Sequence, residues 1–328
     1  RPEPGARRKR AGRRRALVGA HHPPALSRSP SGWRARITET TVGLFSHAPD
    51  PLANTLEYRA DPGLFGPGSV TWQLMSDASS FVGGIRALLV QAAHPEVAAG
   101  VGDHSAYRHD PLGRLSRTAS YVTATAYGAM PEVEAAISVV RRAHRPVRGI
   151  SNRGVAYSAS APEMAAWVHN ALIDSFLTAY QCFGPEPLTA AEEDIYVTEQ
   201  SQLGALMGAE PLPKTATELR KWLVEHPAVA YSPAGAEAIA FLAQAPLKQP
   251  VHSAYRLLYQ AAVATIPGAL RETVGVTPRR GSRTGGQILV RVLRAALGAS
   301  PAWAAALDRC GVTRPDGVRF RETEGTTR

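Results

Sequence analysis

The segment that decides the fold is Asp110–His144, with the sequence DPLGRLSRTASYVTATAYGAMPEVEAAISVVRRAH. It predicts two helices in succession. Asp110 is a capping acid followed by a proline at the first helical position, so the first helix begins there, and Gly128 ends it. Pro131 begins the second helix, and Pro146, just beyond the segment, ends it. Both predicted helices carry apolar residues at spacings of three and four, which is typical of half-buried helices.

Helical periodicity continues on both sides of this segment. Trp72 to Ala93 predicts a helix that ends at His94-Pro95, and Pro162 to Phe183 predicts another. Val147–Ala159 has no helical period and predicts either a short hairpin or an ordered loop. Further helices are expected near residues 190–207, 216–225, 234–245, 251–265, 285–298 and 301–309. Strand signals are otherwise almost absent, so we predict an all-α fold with a single globular multi-helix domain over residues 37–312.

The formal net charge of +10 comes from the N-terminal segment. Residues 1–36 contain eleven of the 37 Lys and Arg residues and one of the 27 Asp and Glu residues. The rest of the chain therefore carries 26 residues of each sign, and its composition argues against a nucleic-acid partner. We predict a disordered, arginine-rich tail over residues 1–36 and a C-terminal tail over residues 313–328.

Several classes of protein are not indicated by the sequence. No run of 18 apolar residues predicts a transmembrane helix, and no long apolar segment follows the N-terminal arginines as in a signal peptide. Cys182 and Cys310 form no CxxC motif, which argues against a zinc ribbon or covalent haem attachment. Motifs of P-loop, dinucleotide, serine hydrolase, zinc peptidase and di-iron sites are also missing. We expect a cytoplasmic location, with peripheral contact with membranes left open.

Some polar side chains in Asp110–His144 occupy positions that are usually apolar in a helical core. Arg114 and Thr118 are four residues apart and share one face of the first helix. His144 follows the apolar spacing of the second helix, so its ring should point inward. A neutral imidazole on an apolar face suits a haem iron, and Arg114 and Thr118 would donate hydrogen bonds to dioxygen or a propionate. From spacing alone, a core histidine and surface arginines are the commoner interpretation.

Four stretches of the sequence resemble one protein family. They are GGIRALLVQAAHP at 83–95, DPLGRLSRT at 110–118, RRAH at 141–144 with GVAY at 154–157, and WVH at 167–169. The family, sometimes called domain of unknown function 2236, includes the latex-clearing rubber oxygenases. It also includes the fungal oxygenase that cleaves the farnesyl side chain in mycophenolic acid synthesis. The resemblance spans residues 63 to about 210, with a weaker helical match to about 300.

The resemblance implies a mostly helical fold around one non-covalent haem b. The family's proximal histidine matches His144, and its distal arginine and threonine match Arg114 and Thr118. The lysine that precedes this threonine in rubber oxygenases is Arg117 here. Because arginine keeps its proton, we expect a distal site open to dioxygen or water. His104 lies in a matching loop and is a further candidate for contact with the haem edge.

The sequence departs from the rubber oxygenases at the general base. Those enzymes carry a glutamate upstream of the distal arginine, and no acidic residue stands at the same offset here. Glu96 and Asp103 are the candidates in that neighbourhood. The leading hypothesis is a haem b-dependent oxygenase that uses dioxygen on an apolar, isoprenoid or lipid, substrate. The alternatives are a haem-binding sensor or carrier without turnover and a cofactor-free helical interaction protein.

Overall fold

Helices dominate the part of the chain that the computed structural model describes, residues 32–316 and Val318. The helices are α1 Trp33–Phe45, α2 Val70–Ser76, α3 Ser80–Gln91, α4 Pro95–His104, α5 Pro111–Tyr127, α6 Met130–His144, α7 Pro162–Phe183, α8 Ala190–Leu206, α9 Ala216–Glu225, α10 Pro233–Ala243, α11 Val251–Val263, α12 Gly268–Val274, α13 Ser282–Leu297 and α14 Pro301–Cys310. Two 3₁₀ helices, Thr55–Glu57 and Ala106–Arg108, lie between them. The predicted all-α class is confirmed.

The helices α5 and α6 form an antiparallel hairpin. The N-terminus of α5 lies where predicted, because the Asp110 carboxylate accepts the backbone N–H of Gly113 at 2.9 Å. At the start of α6, the Glu132 carboxylate accepts the backbone N–H of Ala129 at 2.9 Å. The two helices pack together, and only residues 128 and 129 connect them. So short a connection requires them to run in opposite directions.

The contact between α3 and α7 lies at the centre of the hydrophobic core. Gly83 of α3 lies so close to α7 that a Cβ atom on it would come within 2.6 Å of the Phe176 ring. Arg86 crosses the same contact, and its Nη1 donates to Asp174 Oδ2 at 2.7 Å and to Ser175 Oγ at 2.8 Å. Small residues and a buried ion pair together hold these two helices in close contact.

The predicted hairpin or loop after α6 is a β-hairpin. Strands β1 Arg148–Ile150 and β2 Ala156–Ser158 pair antiparallel, with Gly149 opposite Tyr157. Its inner face packs on α4, where Tyr157 lies against Gly100. Among the described residues, none of the helices has both the length and the apolar content needed to cross a bilayer.

Several predicted boundaries are wrong. The helix predicted from Trp72 to Ala93 is two helices, α2 and α3, because the Asp77 carboxylate accepts the backbone N–H of Ser79 and interrupts the helical pattern. Pro95 follows the end of α3 but also begins α4, which was not predicted. The short helix α12 was not predicted either.

The predicted tails are only partly within the described residues. Helix α1 begins at Trp33, so residues 33–36 of the predicted N-terminal tail are helical. Residues 1–31 lie outside the described residues. Residues 313–316 and Val318 of the predicted C-terminal tail form no helix or strand, and the rest of that tail also lies outside the described part.

Candidate functional site

The hairpin brings Arg114 and His144 to the same end of the α5–α6 pair. Arg114 stands 13 residues before the last residue of α5, and His144 stands 14 residues after the first residue of α6. At about 1.5 Å of rise per residue, both lie roughly 20 Å from the turn that joins the helices. The two residues predicted to lie on opposite sides of a cofactor thus belong to neighbouring helices at matching heights.

Arg114 is a half-buried cation with no partner among the described residues. Its side chain forms no hydrogen bond and no ion pair in the part of the chain that the structure describes. Burial lowers the pKa of the Arg114 guanidinium, and the positive charge of Arg117 lowers it further. A guanidinium that has lost part of its hydration without gaining an acceptor favours an acceptor supplied by a ligand.

His144 lies at the end of the apolar stripe of α6. Val133 and Ile137 on that stripe are buried, whereas His144 itself is half-buried. Burial lowers the pKa of the imidazole, so the ring is neutral at pH 7. Within the described residues, the ring forms no hydrogen bond or ion pair. A neutral imidazole with an uncommitted nitrogen is the form that binds a metal.

The other two residues predicted for the distal side are exposed. Thr118 lies one turn from Arg114, and its hydroxyl donates to the Arg114 carbonyl oxygen at 3.0 Å. Its oxygen can still accept a hydrogen bond, but donation to a ligand would require this bond to break. Arg117 pairs with Asp110 at 3.1 Å, near the N-terminus of the same helix. Arg117 therefore already has a partner that Arg114 lacks.

A small cavity lies behind the hairpin, between α5, α7 and α8. Its walls include Tyr121 and Val122 of α5, Phe176 of α7, and Tyr196 and Leu203 of α8. Its volume of about 20 Å³ admits a water molecule but no tetrapyrrole. A second cavity of about 210 Å³ lies elsewhere, lined by Arg86, Asp174 and Arg220 among others, and neither cavity is lined by Arg114, Thr118 or His144. The predicted enclosure of a haem stays a prediction.

Tyr121 was not among the predicted site residues. It is seven residues after Arg114, which places both on one face of α5, and this spacing is a signal that the sequence offered. Burial raises the pKa of the Tyr121 hydroxyl well above its usual value, so the group stays protonated. It is available as a hydrogen-bond donor beside the cavity.

Glu96 and Asp103, the two candidates for the general base, both form hydrogen bonds to the β-hairpin. Buried Glu96 accepts hydrogen bonds from Ser151 Oγ at 2.8 Å and from Arg153 Nη2 at 2.5 Å. Burial alone would raise the pKa of Glu96, but the hydrogen bonds from Arg153 and Ser151 outweigh it and lower that pKa. Asp103 accepts the Tyr157 hydroxyl at 2.5 Å. Each carboxylate already has a partner that competes with a role as proton acceptor.

His104 contacts the strand that directly follows α6. It is exposed, and its Nε2 lies 3.2 Å from the carbonyl oxygen of Arg148. That contact places it at the junction of α4 and β1. A role in cofactor binding for His104 stays a prediction.

The residues at this end of the hairpin suit a haem in their chemistry. A b-type haem needs a single neutral imidazole from the protein, and the His144 ring has that form. A site for a bare metal ion would need several ligating side chains. Among the described residues, no group of three or more His, Cys, Asp or Glu side chains is placed to hold a metal ion. Arg114 adds an unpaired donor on the neighbouring helix.

Comparison with known proteins gives one family. The family model described as "ER-bound oxygenase mpaB/B'/Rubber oxygenase, catalytic domain" matches residues 72–298, a range that includes both helices of the hairpin. A search of curated proteins gave no match, and a search of solved structures gave none. The matched range covers more than half of the chain, so the protein belongs to the family of ER-bound and rubber oxygenase catalytic domains.

Proposed function

We propose that the protein is a haem b-dependent oxygenase that acts on an apolar substrate. The observation that supports this most is the pairing of Arg114 and His144 at one end of the hairpin, neither of them with a partner among the described residues. Membership of an oxygenase family makes a redox cofactor the natural ligand for such a pair.

In this proposal His144 holds the iron and Arg114 acts on polar groups of the ligands. Burial keeps the His144 ring neutral, so its nitrogen lone pair is available without loss of a proton. When bound, haem supplies the binding and activation of dioxygen. The Arg114 guanidinium would donate hydrogen bonds to anionic groups of the cofactor or substrate, and such charge-assisted hydrogen bonds are among the strongest in proteins.

The proposed substrate class is supported by the lining of the interior beside α5 and by the family. Phe65, Val122 and Phe176 line the interior there, and this mostly apolar wall favours an apolar molecule beside α5. We propose an alkene, such as an isoprenoid or an unsaturated lipid. Its double bond breaks, and each atom of one dioxygen molecule ends in one of two carbonyl groups. This net reaction balances without an external electron donor, and we assign no proton transfer to Glu96 or Asp103.

The proposal is tested with the haem-reconstituted protein and squalene under air, with products identified by mass spectrometry. We expect a Soret band and carbonyl fragments of squalene. In Arg114→Ala, we expect the band to persist and product formation to fall by about tenfold to a hundredfold, as for loss of one charge-stabilising donor. The matched control is Arg59→Ala, which removes an exposed arginine outside the hairpin and should keep full activity.

Two results would contradict the proposal. Bound haem without turnover of squalene or of a shorter isoprenoid alkene would favour a sensor or carrier. The lack of any Soret band after reconstitution would favour a cofactor-free interaction protein.

A further inference from the structure

An unpaired basic cluster surrounds the end of α6. No acidic residue occurs between Glu134 and Glu163, whereas five arginines do. Four of them are exposed and form no ion pair with a described residue: Arg141, Arg142, Arg145 and Arg148. Arg141 donates to the carbonyl oxygen of Leu206 and Arg142 to Ser138 Oγ, so the partners of these two are neutral. Four like charges within eight residues repel one another, and an external anion would relieve that repulsion.

The tip of the β-hairpin presents large apolar side chains beside this cluster. Ile150 at the end of β1 is 71% exposed, and Val155 just before β2 is 46% exposed. Ile150 pairs with Ala156 across the hairpin, which is also exposed. Because side chains alternate along a strand, Arg148 and Ile150 project from the same outer face. Positive charge and apolar surface thus meet on one small element.

The hairpin is firmly attached to the helical body. On the inner face, the buried Tyr157 packs against Gly100 and donates to Asp103. Glu96 accepts hydrogen bonds from Ser151 and Arg153 in the turn region, so the charge of Arg153 is compensated within the protein. The exposed tip is therefore a fixed feature of the surface, and ordering it costs little when a partner binds.

We propose that Arg141, Arg142, Arg145 and Arg148, together with Ile150 and Val155, form a docking surface for an anionic lipid bilayer. Arginines bind lipid phosphates, and apolar side chains beside them enter the headgroup region. A nucleic-acid backbone would use the arginines but would gain nothing from the apolar tip, so lipid is the better match. The surface does not depend on the proposed haem chemistry.

The proposed docking surface lies next to the candidate site, so docking would also affect the surroundings of His144. The backbone N–H of Val147, which leads into β1, donates to the carbonyl oxygen of His144 at 3.0 Å. Docking would therefore place His144 close to the phase in which isoprenoids and lipids dissolve.

The test is sedimentation of the full chain with vesicles of phosphatidylcholine alone or mixed with phosphatidylserine. We expect strong binding only to the mixed vesicles. Replacement of all four arginines by glutamine should lower the partition coefficient on the order of a hundredfold or more. Ile150→Ser combined with Val155→Ser should lower it by about tenfold, because apolar burial is lost while the charge is kept.

The matched control removes four exposed arginines elsewhere. Arg279, Arg280, Arg283 and Arg291 lie on α13 and the loop before it, and glutamine at all four gives the same net charge. Both variants keep the arginine-rich N-terminal segment, so its contribution is the same in each. The control should lose less than about threefold in binding, and circular dichroism should show that both variants fold.

Equal losses in the two variants would overturn the proposal. The proposal would also be overturned if the variant with Ile150→Ser and Val155→Ser bound vesicles normally and the four arginines proved necessary for binding duplex DNA.

Discussion

Two arginines of the helical body differ in whether the chain supplies hydrogen-bond acceptors for their side chains. Arg86 of α3 is only 2% exposed and donates to Asp174 and Ser175 of α7. Arg114 of α5 is half-buried, and no described residue accepts a hydrogen bond from its side chain. A cation inside a protein is usually compensated by a partner, whereas the half-buried Arg114 leaves its acceptor to be supplied by solvent or a ligand.

The same contrast separates the two regions that carry these residues. At Gly83 the α3–α7 contact is tight, because a Cβ atom there would come within 2.6 Å of the Phe176 ring. The end of the α5–α6 hairpin is open, with Thr118 exposed and His144 half-buried. The first region pairs its charged groups with each other, whereas Arg114 and His144 in the second have no side-chain partner among the described residues.

The largest expected effect on stability comes from removing the partner of Arg86. Asp174→Ala leaves a buried charge uncompensated, so we expect the free energy of unfolding to fall by about 3–5 kcal/mol in urea denaturation. The matched control is Glu237→Gln, because Arg108 and Glu237 also lie 2.7 Å apart but are exposed. That change should cost less than about 1 kcal/mol. Similar losses in both variants would show that burial does not distinguish the two pairs.

A pair of adjacent glycines gives a smaller effect in the same region. A Cβ atom on Gly83 would clash with Phe176, so Gly83→Ala should destabilise the protein by about 1–3 kcal/mol. A Cβ atom on Gly84 meets only open space, so Gly84→Ala should stabilise the helix by about 0.8–1 kcal/mol. Thermal unfolding of both variants measures the difference. If both are stabilised, the α3–α7 contact is looser than the structure indicates.

The smallest effect is expected at Arg114 in the absence of any cofactor. Arg114→Leu breaks no hydrogen bond or ion pair to a described residue, so the free energy of unfolding should change by less than about 0.5 kcal/mol. Urea denaturation of the apoprotein checks this. A loss of about 2 kcal/mol or more would mean that Arg114 is a structural residue like Arg86.

Local sequence signals predicted the helices whose ends are marked by a capping residue, a proline or a glycine. The bounds predicted for Pro162–Phe183 agree with α7, and Asp110 and Gly128 mark the ends of α5 as expected. Helix α4 was missed because Pro95 was interpreted as the end of one helix, whereas it is the first residue of the next. Helix α12 has only seven residues, too few to show a period.

The candidate site was predictable only where it depends on spacing within one helix. Arg114 and Thr118 do lie one turn apart on α5. The use of Glu96 as an anchor for the hairpin was not predictable, since its partners Ser151 and Arg153 are more than fifty residues away. The exposure of Thr118 likewise depends on which helices cover α5, and no local pattern reports that.

The most direct test of His144 as the haem ligand is the absorption spectrum of haem-loaded His144→Gly with and without added imidazole. We expect the variant to lose the histidine-ligated spectrum of the wild type, and imidazole to restore it by occupying the space of the missing ring. A variant that keeps the wild-type spectrum without imidazole would contradict the assignment of His144 as the ligand, and with it the proposed site.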